Sequence, residues 1–385
     1  KLANKLVPVT LGLATASYIF AKDFERVASI LQADYSCALK LATPVAFKST
    51  ISKAGHNGIM IKGAKSIEAL SNADTFVFDK TGTLTGGELE VICVESYDEK
   101  WSEDKLLNLT ASTEEHYFHP VAEAVVKAAK QRGFVHMHHE EVEFIVAHGV
   151  KTEVKGKSVI IGSRHFLEDD EKIDFTEHKD KIENSLRDGR TLLYIAYDGK
   201  LLGTITLADE LRHNSKEAIS KLKKLGVKNI IMLTGDTKQK AEMIANELGI
   251  DEVRAELLPQ DKAKIVKELM ESGKKVAFVG DGINDAPALI SAHVGISMSR
   301  GADIAKATAD ISLLKDDIMA VVEAKEYANK TMNLINNNFN ATVGINSCIL
   351  AGATFGIFSP IVTAVLHNGT TIGLLFNSIK GVNIK

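Results

Sequence analysis

Cysteine is scarce in this chain. Three residues (Cys37, Cys93, Cys348) cannot build a disulfide framework and fit a reducing compartment. Six prolines and 28 glycines in 385 residues exclude collagen-like or proline-rich architecture. A basic surplus is also missing: 46 Lys and Arg stand against 50 Asp and Glu, a net charge of −4. That balance argues against a nucleic-acid partner. The first apolar run has no small-residue cleavage site after it, so no secretory signal is visible. What is present is an ordinary globular mixture, 45% apolar and 25% charged, which excludes a disordered chain. The length calls for two or three domains rather than one.

The mean hydropathy of zero hides an uneven distribution. Residues 6–21 carry no Asp, Glu, Lys or Arg, and residues 27–47 are interrupted only by Asp34 and Lys40. Residues 331–379 contain no ionisable side chain besides His367 and Cys348. About 20 residues of helix cross a bilayer core, so this last stretch is long enough for two spans, with Ser359-Pro360 as the natural turn. Two membrane helices are therefore expected in residues 1–50 and two more in 330–385. The connection Lys22-Asp23-Phe24-Glu25-Arg26 is neutral, whereas Lys48, Lys53, Lys62, Lys65 and Lys330 flank the far ends. The positive-inside tendency puts the large intervening loop on the cytoplasmic side of a multi-pass membrane protein, with the plasma membrane as the expected location.

That loop divides by pattern. Short apolar runs at Thr75-Phe76-Val77-Phe78, Asn229-Ile230-Ile231-Met232-Leu233 and Val276-Ala277-Phe278-Val279 each lead into an Asp-bearing turn. Helical spacing follows in residues 238–248 and 262–270. Alternating strands and helices imply a parallel, Rossmann-like α/β sheet, with ligands at the carboxyl ends of its strands. The expected body comprises residues 51–87 and 204–329. Residues 88–203 interrupt the alternation and read as an inserted α+β domain, with strands at Val159-Ile160-Ile161 and Leu192-Leu193-Tyr194-Ile195-Ala196.

The chemistry concentrates at Asp79-Lys80-Thr81-Gly82-Thr83-Leu84-Thr85. A carboxylate ending a buried strand can attack phosphorus as a covalent nucleophile. Lys80 and the loop N–H groups can neutralise the phosphoryl group under attack, and Gly82 permits a tight turn. Asp281 offers a hard oxygen donor for Mg²⁺. Thr234 and Lys262 can contact phosphoryl oxygens. Each could be an ordinary turn residue alone; three such strand ends in this order are improbable as coincidence.

These motifs resemble those of the P-type ATPases. The run from Asp79 to Thr85 matches their phosphorylation signature. Thr234-Gly235-Asp236, Leu258-Pro259-Gln260-Asp261-Lys262 and Gly280-Asp281-Gly282-Ile283-Asn284-Asp285-Ala286-Pro287 match three further motifs. His119-Pro120, Ala42-Thr43-Pro44 after a cysteine, and a single closing hairpin resemble the heavy-metal-transporting branch. The resemblance implies α-helical membrane spans and a haloacid-dehalogenase-like phosphorylation domain with an inserted nucleotide-binding domain. It implies ATP as the phosphoryl donor, Mg²⁺ as cofactor and a transported heavy-metal ion. Asp79 would be phosphorylated, and Thr234 and Lys262 would bind the phosphoryl group. Asp281 would hold Mg²⁺ with Asp79 and the Thr81 carbonyl, supported by Gly235, Asp236, Asn284 and Asp285. His119, Glu114 and Gly149 would meet ATP, with Gly156 and Gly162 serving the turn geometry.

Several departures qualify the match. Ala147-His148-Gly149 lacks the first glycine of the family's Gly-x-Gly. The Thr-Gly-Glu of the family's actuator domain is missing, so the chain reads as the C-terminal part of a longer pump. Tyr35-Ser36-Cys37 replaces Cys-Pro-Cys. One thiolate with nitrogen and oxygen ligands suits a borderline divalent ion (Zn, Co, Ni, Fe or Mn) better than Cu(I). Cys37, His367 and Asp34 are the expected ligands of the transported ion. A haloacid-dehalogenase-like phosphatase and a membrane receptor are the competing classes. The first needs no apolar spans and usually has an acid where Thr81 stands; the second leaves the phosphate motifs unexplained.

Overall fold

The computed structural model describes residues 2–33, 36–115, 119–145, 148–186, 190–281, 285–299 and 303–384. Contacts divide the chain into two compact units. One comprises Lys1–Phe78, Lys216–Ile231 and Pro259–Lys385; the other comprises Asp79–Ser215 and Met232–Leu258.

Thirteen strands are described: β1 (Ile59–Ile61), β2 (Thr75–Asp79), β3 (Thr85–Ser96), β4 (Glu143–Ile145), β5 (Gly149–Val154), β6 (Lys157–Gly162), β7 (Thr191–Tyr197), β8 (Lys200–Leu211), β9 (Asn229–Leu233), β10 (Glu252–Arg254), β11 (Val276–Gly280), β12 (Val294–Ser297) and β13 (Ile311–Leu313). A seven-stranded sheet has the order β1-β13-β12-β11-β2-β9-β10. Its centre is parallel: β11 pairs with β2 and with β12, with Val279 opposite Phe78. Every residue of β2 and β11 is buried, as expected of parallel strands covered on both faces. Such short apolar runs are too brief for helices, and the helices between them start and stop on local signals. The helix Lys238–Leu248 ends at Gly249, whose φ of 74° is the left-handed cap that glycine accommodates.

The second unit is built on an antiparallel sheet of order β3-β8-β7-β6-β5-β4. Its core joins Leu106, Leu107 and Val125 from two helices to Val159, Ile161 and Ile205 from the sheet. The helix Glu103–Glu114 starts at Ser102, whose hydroxyl accepts from the Lys105 N–H, with Glu103 and Asp104 in the first turn. The helix Pro120–Gln131 starts at His119 with proline at its first position.

The terminal segments differ from expectation. The first is helical over Leu2–Ala21. The stretch 27–47 is not one span: it is shared by Phe24–Gln32, capped by Asp23, and Ser36–His56. The helix Met319–Thr354 begins well before the apolar stretch, and Pro360–Lys380 follows the expected turn, capped by Ser359. No helix among the described residues is long and apolar enough to cross a membrane. The reason is polar content: Asn338, Thr342, Asn346, Thr363, His367 and Ser378 interrupt the two last helices, and all six are buried. Two of them meet, the Asn338 amide donating to the Ser378 hydroxyl at 2.9 Å. The exposed residues of Pro360–Lys380 include Ile361, Val365, Ile372, Phe376 and Ile379.

Candidate active site

The nucleophile candidate Asp79 is the last residue of β2 and is buried. The next residues turn sharply, with Gly82 at a φ of 71°, a conformation that L side chains avoid. Neighbouring groups hold the turn. The Arg212 guanidinium donates to the carbonyls of Gly82, Thr83 and Thr85 at 3.0–3.1 Å. The Thr85 hydroxyl donates to Asp209 at 2.6 Å, and Asp209 also accepts from the Gly87 N–H at 3.0 Å. The Ser215 hydroxyl closes the set on the Leu84 carbonyl at 2.9 Å. The sequence reading missed Asp209 and Arg212. Their signal is a cluster of charge, Asp209-Glu210-Leu211-Arg212, ending an otherwise apolar strand.

Lys80 does not stand open beside the strand end. It is buried and ion-paired to Asp236 at 2.9 Å, with Lys240 3.8 Å from the other oxygen of that carboxylate. The Thr234 hydroxyl accepts from the Asp236 N–H at 3.1 Å, so Thr234-Gly235-Asp236 is a self-bonded turn after β9. Lys262 reaches Asp285 at 2.7 Å; the carboxylate is almost fully buried. Asp285 also accepts from the Asp281 N–H at 3.3 Å, beyond the end of β11. Close approach requires Gly280 here, because a Cβ would lie 2.8 Å from an Asp285 oxygen. Asn284 and Asp34 fall outside the described residues.

Beyond the end of β11, Asp281 and Asp285 each offer a carboxylate oxygen within 4.8 Å of the other. Paired carboxylates are the hard-oxygen donors that Mg²⁺ takes, so the residues present fit that ion. Lys262 offsets part of the negative charge at Asp285.

In the antiparallel-sheet unit, Glu114, His119, His148, Gly149 and Gly162 line one cavity of about 250 Å³. Burial raises the Glu114 carboxyl from 4.5 to about 7. The His119 Nδ1 accepts from the Val121 N–H at 3.3 Å, which orients the ring as a helix cap. Gly149 and Gly162 are demanded by packing. A Cβ at Gly149 would sit 2.1 Å from the Ile161 carbonyl oxygen, and one at Gly162 would sit 2.3 Å from that of His148. Gly156 occupies the β5–β6 hairpin turn at φ 70°, and Gly162 lines the cavity. Ala147, where the family's first glycine would stand, lies outside the described residues.

The expected ligands of the transported ion are not drawn into one cluster. Cys37 is exposed and His367 is buried. Neither belongs to a group of three metal-capable side chains among the described residues. The His367 Nδ1 and the Thr363 hydroxyl, one helical turn apart, are buried without a hydrogen-bond partner among the described residues.

The chain belongs to the haloacid dehalogenase-like hydrolases, whose family model matches residues 73–293. Along almost its whole length it is also similar to metal-exporting P-type ATPases. It is 36% identical over 380 residues to a zinc-exporting P-type ATPase of Mycobacterium marinum, covering 98% of this chain and 52% of that protein. It is 37% identical to a manganese-exporting P-type ATPase of Mycobacterium leprae, covering 97% and 52%. The corresponding figures for a copper-exporting P-type ATPase of Bacillus subtilis are 31%, 100% and 49%. The chain thus spans about half the length of these relatives. Among solved structures, a zinc-transporting PIB-type ATPase matches 98% of this chain and 62% of its own, at 31% identity and a TM-score of 0.85. The catalytic domain of a CPx-ATPase matches 72% of this chain and 98% of its own, at 31% identity and a TM-score of 0.55.

Proposed function

We propose that this chain is the catalytic part, with membrane helices, of a P-type ATPase that exports a divalent transition-metal ion, driven by ATP through an aspartyl phosphate. The observation that carries the reading is the Asp281 and Asp285 carboxylate pair beyond β11, held by Lys262, together with Asp79 buried as the last residue of β2, the strand paired with β11. An Asp79 oxygen attacks the γ-phosphorus of ATP. The new O–P bond forms as the bond to the β-phosphate oxygen breaks, and ADP leaves. Water later hydrolyses the aspartyl phosphate and releases inorganic phosphate. Mg²⁺ held by Asp79, Asp281 and the Thr81 carbonyl would neutralise charge on the phosphoryl oxygens. Lys262 and the Thr234 hydroxyl contribute positive charge and a hydrogen bond to the same group. Asp209 and Arg212 hold the turn that aims Asp79, so less reorganisation is needed at the moment of reaction.

ATP is assigned to the cavity of Glu114, His119, Gly149 and Gly162, in residues 88–203. Residues 51–87 and 204–329 form the phosphorylation domain, and 1–50 with 330–385 are membrane helices. The distribution of side chains on Pro360–Lys380 supports the membrane assignment: its buried positions are polar and several of its apolar ones are exposed. Polar groups facing a bundle interior and apolar ones facing lipid are the arrangement a bilayer favours. The same polar interior lowers the mean hydropathy that defines an ordinary span.

Cys37 and His367 are assigned as ligands of the transported ion, with Asp34 as a third. The unpartnered His367 nitrogen supports this, since a buried imidazole without a partner is costly unless something occupies it. The test is ATPase stimulation of the full-length protein by Cu(I) and by the divalent series, in wild type, Cys37→Ala and His367→Ala. The expected outcome is stimulation by one or more divalent ions that falls at least tenfold in both variants. Stimulation by Cu(I) alone, or divalent stimulation indifferent to both substitutions, would overturn the ion assignment.

A further inference from the structure

Beside the proposed nucleotide cavity lies a group of side chains that phosphoryl transfer does not use. His148, His165 and Asp170 each bring a ligand atom within 4.8 Å of the other two. Two imidazoles and one carboxylate are the donor types that Zn²⁺, Co²⁺ and related divalent ions prefer. The backbone carrying His148 is fixed. Its N–H donates to the Ile145 carbonyl and its own carbonyl accepts from the Ser163 N–H, both at 3.0 Å. His165 and Asp170 lie on the next turn, around Phe166–Asp170, where Phe166 is buried as an anchor. The His148 Nε2 is already 3.9 Å from an Asp170 oxygen, and the two imidazole centroids are 6.0 Å apart. The three side chains are partly exposed, so small rotamer changes suffice to close them on an ion. Asp169, 2.7 Å from the His165 Nδ1, supplies the carboxylate that commonly supports a metal-bound imidazole or, failing that, a fourth oxygen donor.

We propose that His148, His165 and Asp170 form a divalent transition-metal site on the rim of the cavity, and that its occupancy weakens nucleotide binding. His148 lines the cavity with Glu114 and Gly149. An ion joining it to the 165–170 turn ties the cavity rim to a second element and draws the imidazole away from the wall. The metal site stands on its own geometry; the effect on nucleotide rests on the reading of the cavity as the ATP pocket.

The test uses the full chain carrying Cys37→Ala and His367→Ala, which removes the assigned transport ligands. Co²⁺ is titrated and its visible absorption followed. In parallel, the affinity of a trinitrophenyl-adenosine probe is measured; it lacks phosphates and so does not chelate the ion. The expected result is one Co²⁺ equivalent with a ligand-field band, lost in His165→Ala and in His148→Ala and weakened at least tenfold in Asp170→Asn. Probe affinity should fall at least threefold with Co²⁺ in the parent and stay constant in His165→Ala. A Co²⁺ band unchanged by all three substitutions, or probe affinity indifferent to Co²⁺, overturns the proposal. A parent that binds no probe even without metal removes the nucleotide reading instead, while the band still reports on the metal site.

Discussion

Glu114 shows how a single buried carboxyl sets a pH dependence. Burial raises it from 4.5 to about 7, so the folded chain holds its proton where the unfolded chain has released it. Below about pH 4.5 both states are protonated and the burial carries no charge penalty. As pH rises towards 7 the unfolded state gains by ionising, and the folded state loses roughly 3 kcal/mol before levelling off. Glu114→Gln should therefore match wild type in thermal unfolding at pH 4 and exceed it at pH 8. An equal difference at both pH values would contradict the assignment. Legibility at this scale was mixed. Asp79, Thr234, Lys262 and Asp281 could be read from strand ends and turns. The pairing of Lys80 with Asp236 could not, because two distant turns give no sequence signal of which carboxylate a lysine meets. Gly156 and Gly162 look alike in the sequence, and only φ and neighbours tell the hairpin glycine from the one on the cavity wall.

At the scale of elements, close backbone approach and helix ends decide more than propensity does. β5 and β6 approach so closely that neither Gly149 nor Gly162 has room for a methyl group. Gly162→Ala should push the two strands apart and lower ATP affinity at least tenfold, while phosphorylation from inorganic phosphate is retained. Unchanged ATP affinity would contradict the close packing as a requirement of the pocket. In the other unit, Lys325 is almost fully buried and donates to the carbonyls of Leu70, Ser71 and Ala73 at 2.8–2.9 Å. It thereby satisfies the end of the helix Ala64–Asn72. Lys325→Met keeps the length and removes the donors; the Leu70 carbonyl keeps the Ala73 N–H, but the Ser71 and Ala73 carbonyls lose the ammonium, at a cost of roughly 3 kcal/mol. Urea unfolding should show that loss as a lower midpoint; an unchanged midpoint would mean water replaces the ammonium. The strands at 75–79, 229–233 and 276–280 and the helix at 238–248 were legible from apolar run length and period. Lys325 was not, since a lysine in a helical pattern reads as solvated.

For the whole molecule, composition located the terminal helices but not their character. The charge-free stretch 331–379 marked two helices and their turn. Their polar stripe was present in the spacing, with Asn338, Thr342 and Asn346 four apart and Thr363 and His367 likewise. Hydropathy averages over such a stripe, which is why these helices fall short of the mean hydropathy of an ordinary span although the stretch 331–379 is free of charge. The helical break between Phe24–Gln32 and Ser36–His56 had only Asp34 as a sequence sign. The proposed ATP-driven cycle depends on Asp79 accepting phosphate. The most direct measurement is labelling of the full-length protein with γ-labelled ATP, followed by acid quench, hydroxylamine treatment and Asp79→Asn. The account predicts an acid-stable, hydroxylamine-sensitive label that disappears in Asp79→Asn. A label that survives in that variant, or no phosphoenzyme in wild type with Mg²⁺ and the stimulating ion present, would contradict it.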